Sequence, residues 1–408
     1  EYIEKLKYKE LFDICASNLD TVKGFVELLT KKPATIYIGY GVQRYTSGGV
    51  TVRAIDMLGA LAGIIGIPGG GVNYANKIYG EYINWKAVAP IARPEHRYIA
   101  KAKLSVELPA LVNPEVKAIF ISRSNPAVQL PNAGGAVASL NQMEFKVVLD
   151  YFMTDTAKLA DIVLPVTYFM EETDIIYSSM WNGCMFYNEK LVERYYQTKP
   201  EFEIYSLLAK RMGMNEFPQM TDLEWINKLL DNSTGKEVNI DQLKADAFTF
   251  TKEAKSIPWS DHEFKTASGK FEFIDVFALQ KFIETTTNED DEDYQMLTVH
   301  TRESLHSQHL MTSEVRSPAV YISKEDAKGL KVQDKELVKL QNQFGSLTAE
   351  VIISDKIQKG VLYMKEGWWF KNGGSVNNLT SHELSDIGNQ ATYNECRVKI
   401  IKLGANNE

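Results

Sequence analysis

The sequence predicts an α/β fold: a parallel, doubly wound sheet region followed by a C-terminal β-barrel. Two patterns carry this. Near-continuous apolar strands at 117–122, 146–150 and 161–164, the first two separated by room for a crossover helix, fit a parallel sheet covered on both faces. After the like-charged run Asn288-Glu289-Asp290-Asp291-Glu292-Asp293, the texture changes to short alternating strands with turns at Phe344-Gly345 and Lys359-Gly360, which suggests a barrel. At 408 residues and 44% hydrophobic content, the chain has room for two or three domains.

Taken in order, 35–38 is a short buried-strand candidate, followed by Gly39-Tyr40-Gly41. After Ser47-Gly48-Gly49 a helix runs through Leu61, with Val52, Ile55, Leu58, Leu61 and Ala62 on one stripe. The run Gly66-Ile67-Pro68-Gly69-Gly70-Gly71 reads as a stop and a tight turn. From about 190 to 282 the pattern is mostly helix and loop, with helices near 202–212 and 222–231. Barrel strands are expected at 297–300, 320–322, 336–341, 347–353, 361–364 and 397–401. The predicted domains are therefore 1–190 (α/β), 191–293 (connecting region with the acidic linker) and 294–408 (barrel).

With 45 basic and 53 acidic side chains the formal charge is −8, which argues against a general nucleic-acid or membrane-surface binder. No stretch reaches the roughly 18–20 apolar residues that span a bilayer, so no direct membrane insertion is expected. Cys15, Cys184 and Cys396 lie far apart, form no metal spacing and indicate no disulfide framework. The chain starts at Glu1 without a methionine, and it reads as a cut from something longer.

In an open parallel sheet, ligands bind beyond the carboxyl ends of the strands. There the sequence offers Gly39, Gly41, Gln43 and Arg44; then Ser122, Arg123, Ser124 and Asn125; then Asp150, Thr154 and Thr156. Glycines allow close backbone approach, hydroxyls and amides donate to phosphate oxygens, and Asp150 can accept from a ribose or a purine. Each alone is equally a turn or a cap; the conjunction is the signal. In the barrel region, Thr301, Arg302, Glu303, His306 and Ser307 follow a strand. Within the nine residues 301–309, His306 and His309 stand three apart with no further Cys or His, so hydrogen bonding to an extended polar ligand is expected there rather than a metal. The loops Glu366-Gly367-Trp368-Trp369 and Asn377-Asn378-Leu379-Thr380 suit aromatic packing and a polar turn as well as they suit ligand contact, and His382, Glu383 and Asp386 read as the surface face of a short helix.

The segments YIGYGVQRYTSGGVTVRAIDMLGALAGIIGIPGGGVNYAN (37–76), AIFISRSNPAVQLPNA (118–133), VVLDYFMTDTAKLADIVLPVTYFMEETDI (147–175) and HTRESLHSQ (300–308), with the barrel text after them, resemble the molybdopterin oxidoreductase family. The resemblance covers nearly the whole chain and implies a Rossmann-like region and a double-psi barrel. It also implies a bis-molybdopterin guanine dinucleotide cofactor carrying molybdenum or tungsten. Gly39, Gly41, Gln43 and Arg44 would lie near the pterin and metal, and Ser124, Asn125, Asp150, Thr154 and Thr156 would hold a guanosine diphosphate arm. Thr301, Arg302, Glu303, His306, Ser307, Asn378 and Thr380 would close over the pterins, with Gln43, Arg44 and His306 nearest the reacting centre. The family's [4Fe-4S] motif and its metal-ligating residue match nothing here, so both are expected in a missing N-terminal part. That part, a small-molecule substrate and an iron–sulfur electron-transfer subunit are the expected partners. The cytoplasm is the expected compartment, with the periplasm as the alternative.

Two other readings compete. One is a non-catalytic structural or electron-relay relative, against which the retained polar strand ends count. The other is a nicotinamide-dependent dehydrogenase, which would need glycine where Arg44 stands.

Overall fold

The computed structural model describes residues 6–74, 83–85, 96–177, 184–215, 217–230, 240–250, 257–275, 294–302, 305–308 and 317–403. The acidic run at 288–293 and Glu303 lie outside them. The chain forms two compact units, one from residues 1–76, 253–290 and 385–388, the other from 77–252, 291–384 and 389–408.

The first unit begins with helices α1 (Tyr8–Ile14) and α2 (Leu19–Thr30), the latter started by Asn18, whose side chain accepts from Thr21 N–H at 2.9 Å. Strands β1 (Thr35–Tyr37) and β2 (Gly71–Asn73) pair in parallel, and the predicted helix α3 (Gly48–Leu61) lies between them in sequence. A Cβ on Gly59 would stand 2.2 Å from Val72 Cγ2, so glycine is what lets α3 rest on β2.

Residues 382–386 are not the short helix expected; they run as a bridge and turn. The Asp386 carboxylate instead accepts from Gly49 N–H at 2.8 Å and Val50 N–H at 2.9 Å, satisfying first-turn donors of α3 and meeting the positive end of its dipole. Asp386→Ala is therefore expected to destabilise the protein by about 1 kcal/mol in urea unfolding; an unshifted midpoint would refute the cap.

In the second unit β3 (Ala118–Ser122), β4 (Phe145–Asp150) and β5 (Ile162–Pro165) form the expected parallel sheet in that order. Helices α4 (Leu104–Ala110), α5 (Pro126–Gln129) and α6 (Ala133–Asn141) come before and within the β3–β4 crossover. Central β4 is covered on both faces: Val148 packs with Ile121 and Leu140, while Val147 and Leu149 pack with Ile204 and Tyr205 of α7 (Glu201–Arg211).

A three-stranded antiparallel sheet follows: β6 (Asp174–Tyr177), β7 (Cys184–Asn188) and β8 (Phe248–Phe250), packed with α8 (Asp222–Leu230) and α9 (Ile240–Asp246). Within the stretch read as mostly helix and loop both expected helices form, as α7 and α8; among the described residues the one strand there is β8, which at three residues long leaves no periodic trace.

The six predicted barrel strands are β9 (Tyr294–Val299), β10 (Ala319–Ile322), β11 (Leu337–Gln341), β12 (Ser346–Ile353), β13 (Val361–Lys365) and β14 (Cys396–Lys402). They close in the order β10-β12-β11-β14-β9-β13, with β9–β13 and β10–β12 parallel. Met296, Val338, Leu340, Val351, Leu362, Met364 and Val398 fill the interior, at alternate positions along the strands. An unpredicted helix α10 (Lys324–Leu330) starts at Ser323, whose hydroxyl accepts from Asp326 N–H at 3.0 Å.

Candidate functional site

In the first unit, Gly39 precedes a short 3-10 turn, Tyr40–Arg44, that carries Gly41, Gln43 and Arg44. A Cβ at Gly39 or Gly41 would meet nothing within 4 Å, and neither residue has positive φ. The fold itself therefore does not require glycine there, and the open backbone suits close approach by a ligand. Gly48 differs, since its Cβ would lie 2.8 Å from Gln43 Cα, so the start of α3 packs directly on Gln43. The Tyr74 hydroxyl donates to Gln43 Oε1, and the Tyr40 and Tyr74 rings meet edge-on at 5.3 Å.

In the second unit the polar strand ends form two groups. The first is a buried network. Asn125 Oδ1 accepts from Thr156 N–H at 3.2 Å and from Thr156 Oγ1 at 2.7 Å, and Thr156 Oγ1 accepts from Ala127 N–H at 3.0 Å. Asn125 Nδ2 and Gln129 Nε2 both reach Ser307 Oγ, at 3.4 and 3.2 Å. Trp369 Nε1 donates to Ser307 O at 2.6 Å, and Phe370 N–H to Asp155 Oδ2 at 2.6 Å.

Predicted residues from the sheet (Asn125, Thr156) and from the barrel loop (Ser307) are thus brought together, 3%, 1% and 5% exposed, with their polar atoms bonded to one another. They fasten the strand ends to the barrel loop. Thr380, fully buried, bonds to Asn377 Oδ1 at 3.1 Å, while its carbonyl accepts from Asn132 N–H at 2.9 Å. Asn377 Nδ2 in turn donates to Val128 O at 2.8 Å.

The second group remains accessible or holds spare valence. Asp150 Oδ1 accepts from Tyr151 N–H at 2.7 Å and Phe152 N–H at 3.4 Å, while its other oxygen takes no hydrogen bond among the described residues. Burial pushes the Asp150 carboxyl up, opposed by those two N–H donors and by Arg123. Arg123, at φ +44°, is held by Glu201 at 2.7 Å and Glu172 at 3.3 Å and lies over the Tyr151 ring, so its charge is met by protein rather than left for a phosphate.

Ser124 is half-buried, and Thr154 accepts from Ala157 N–H at 3.1 Å. In the barrel loops Thr301 is half-buried, while Arg302 and His306 are exposed. Asn378 Oδ1 is a buried acceptor with no partner among the described residues. Trp368 and Trp369 pack against Val128.

Sequence reading did not single out Gln129, Asn132, Asn377 or Glu366 for these roles. Among the described residues, His300, His306 and Glu366 bring ligand-type atoms within 4.8 Å of one another.

The molybdopterin oxidoreductase family model matches residues 2–211, and the Molydopterin dinucleotide binding domain model matches residues 294–397. The probable oxidoreductase YyaE of Bacillus subtilis is 31% identical over 98% of this chain and 62% of its own length. Trimethylamine-N-oxide reductase of Vibrio parahaemolyticus is 24% identical, over 96% of this chain and 57% of the relative. Formate dehydrogenase H of Escherichia coli is 26% identical, over 90% and 56%. The chain therefore spans 56–62% of the length of these relatives. Acetylene hydratase from Pelobacter acetylenicus shares the fold at TM-score 0.57 and 20% identity, over 74% of this chain and 46% of that one.

Proposed function

Because the chain belongs to the molybdopterin oxidoreductase family, we propose that it is the cofactor-binding portion of an oxidoreductase acting on a small substrate by two-electron chemistry at a bis-molybdopterin guanine dinucleotide centre. The observation that carries this most directly is Asp150, a strand-end carboxylate with one oxygen fixed by backbone donors and the other unclaimed among the described residues. A guanine edge presents adjacent N–H donors, the chemistry such an oxygen accepts.

The donor set fits the group. Gly39 and Gly41 leave backbone open to an approaching ligand, and Asn378 Oδ1 is a buried acceptor lacking a partner among the described residues. On this reading Gly39, Gly41, Gln43 and Arg44 lie along the pterin, and Ser124, Asp150 and Thr154 hold the guanosine arm. Thr301, Arg302, His306 and Asn378 reach over the pterins from the barrel. Asn125, Thr156, Ser307 and Thr380 serve by holding those loops in place.

When bound, the group supplies the electron pair exchanged with substrate at molybdenum or tungsten; the chain's residues position it and set its hydrogen bonds. The proposal assigns the metal ligand and a [4Fe-4S] cluster to sequence outside this chain, and electron delivery to an iron–sulfur partner. The relatives' names include an N-oxide reductase and a formate dehydrogenase, so the substrate is proposed only as a small molecule. No described helix is long and apolar enough to cross a membrane.

The test is Asp150→Ala. Losing a charge-assisted contact worth roughly 1.5–3 kcal/mol should weaken guanine-dinucleotide retention by roughly 10- to 100-fold. Retention is measured as guanine released per protein from purified samples, with a loss of stability in urea no larger than the about 1 kcal/mol that removing an acceptor of two backbone N–H groups costs. Unchanged guanine content in the variant would sink the assignment.

A further inference from the structure

Strands β9 and β13 run parallel with Val299 opposite Lys365, and Glu366 N–H donates to Val299 O at 3.2 Å. The residues that leave the two strands, His300 and Glu366, are therefore neighbours, with His300 Nδ1 2.5 Å from Glu366 Oε1. His306 reaches the same oxygen from the following loop, its Nδ1 at 3.2 Å.

Two features hold that loop down. Gly367, at φ +84°, lets the His306 carbonyl oxygen come within 1.9 Å of where any Cβ would stand, and Trp369 donates to the Ser307 carbonyl. The two imidazoles end 5.2 Å apart, at 69° to one another.

A carboxylate oxygen can only accept. A ring nitrogen within hydrogen-bond distance of it must carry a proton, because two facing lone pairs repel. Both histidines are thus required to carry hydrogen on Nδ1, which leaves Nε2 of each for something else. The side chains of His300 and His306 are 47% and 55% exposed and that of Glu366 13%, so the fixing carboxylate is largely covered while the rings it fixes are open.

We propose that Glu366 is a positioning residue that locks His300 and His306 together as Nδ1–H tautomers, so that their paired Nε2 atoms accept from a ligand edge bearing two N–H donors. This rests on the reading above only in naming the ligand, which would be a pterin-type heterocycle. The pairing itself is a property of the chain.

The chain has six histidines, few enough for long-range ¹⁵N–¹H correlation spectra of the full chain labelled at histidine, assigned by single substitutions. At mildly alkaline pH His300 and His306 should both show the Nδ1–H pattern. In Glu366→Ala both should move toward the Nε2–H form that an unconstrained histidine side chain prefers, whereas Glu366→Gln, which keeps an acceptor oxygen, should retain the wild-type pattern.

Nε2–H signals in the wild type, or no change in Glu366→Ala, would overturn the proposal. So would stoichiometric shifts of both rings on adding zinc alone, which would make the cluster a metal site. In cofactor-loaded full-length protein, Glu366→Ala should lower retained pterin several-fold. A tautomer change with undiminished pterin overturns the ligand half, whereas the cofactor-binding reading itself fails only if the parent protein holds neither pterin nor guanine.

Discussion

Replacing Gly367 by alanine should cost about 3 kcal/mol in urea unfolding and release the loop that carries His306. Two terms add. Residue 367 sits at φ +84°, where an L side chain costs roughly 1–2 kcal/mol. The new Cβ would also stand 1.9 Å from His306 O, 2.7 Å from His306 C and 3.0 Å from Ser307 Cα, all backbone atoms that cannot rotate away. Relief requires the 305–308 segment to shift, at the 1–3 kcal/mol typical of overpacking.

Gly360 supplies the control. Its φ is +78°, yet a Cβ there meets nothing within 4 Å, so Gly360→Ala should lose only about 1 kcal/mol. Equal losses in the two variants would show that the contact with His306 does not matter.

Asn125→Ala should be comparably damaging, at about 3 kcal/mol, although it removes little apolar volume. The truncation strands Thr156 N–H and weakens the hydrogen bonding of Ser307 Oγ, at positions 1% and 5% exposed. Leaving buried polar groups without partners costs about 1–3 kcal/mol each. Asn125→Asp keeps the acceptor for Thr156 but loses the donor to Ser307, and it should fall between alanine and wild type. A loss below about 1 kcal/mol for alanine would mean that water or a relaxed loop replaces the network.

The legible parts of the fold are those with a period. Val338 and Leu340 alternate with Lys339 on β11, and Leu347, Ala349 and Val351 alternate on β12, so the barrel strands are visible in the sequence to within a few residues. The uninterrupted Val147-Val148-Leu149 announces a strand buried on both faces. β8, three residues long, falls below any period, and α10 is only seven.

The site is legible by residue type but not by role. Thr154, Thr156 and Thr380 are equivalent as hydroxyls in a polar loop and all three are buried, yet Thr156 bonds to Asn125, Thr380 to Asn377, and Thr154 accepts from Ala157 N–H. Nothing local distinguishes a hydroxyl that braces a turn from one that meets a ligand. Gln129, Asn132 and Asn377 bond to residues far along the chain, and Asn377 reaches Val128 across 249 positions. His300 and Glu366 are brought together by strand pairing across 66 positions, which no spacing rule scans.

The cap on α3 sets a clock. Asp386 acts on amides 337 and 336 positions earlier, so the helix leaves the ribosome long before its acceptor is made. At about 5–20 residues per second that interval is roughly 17–67 s. During it the first turn of α3 must rely on water. The first compact unit is therefore closed by a residue made more than 300 positions after its helix, which makes its completion a late step.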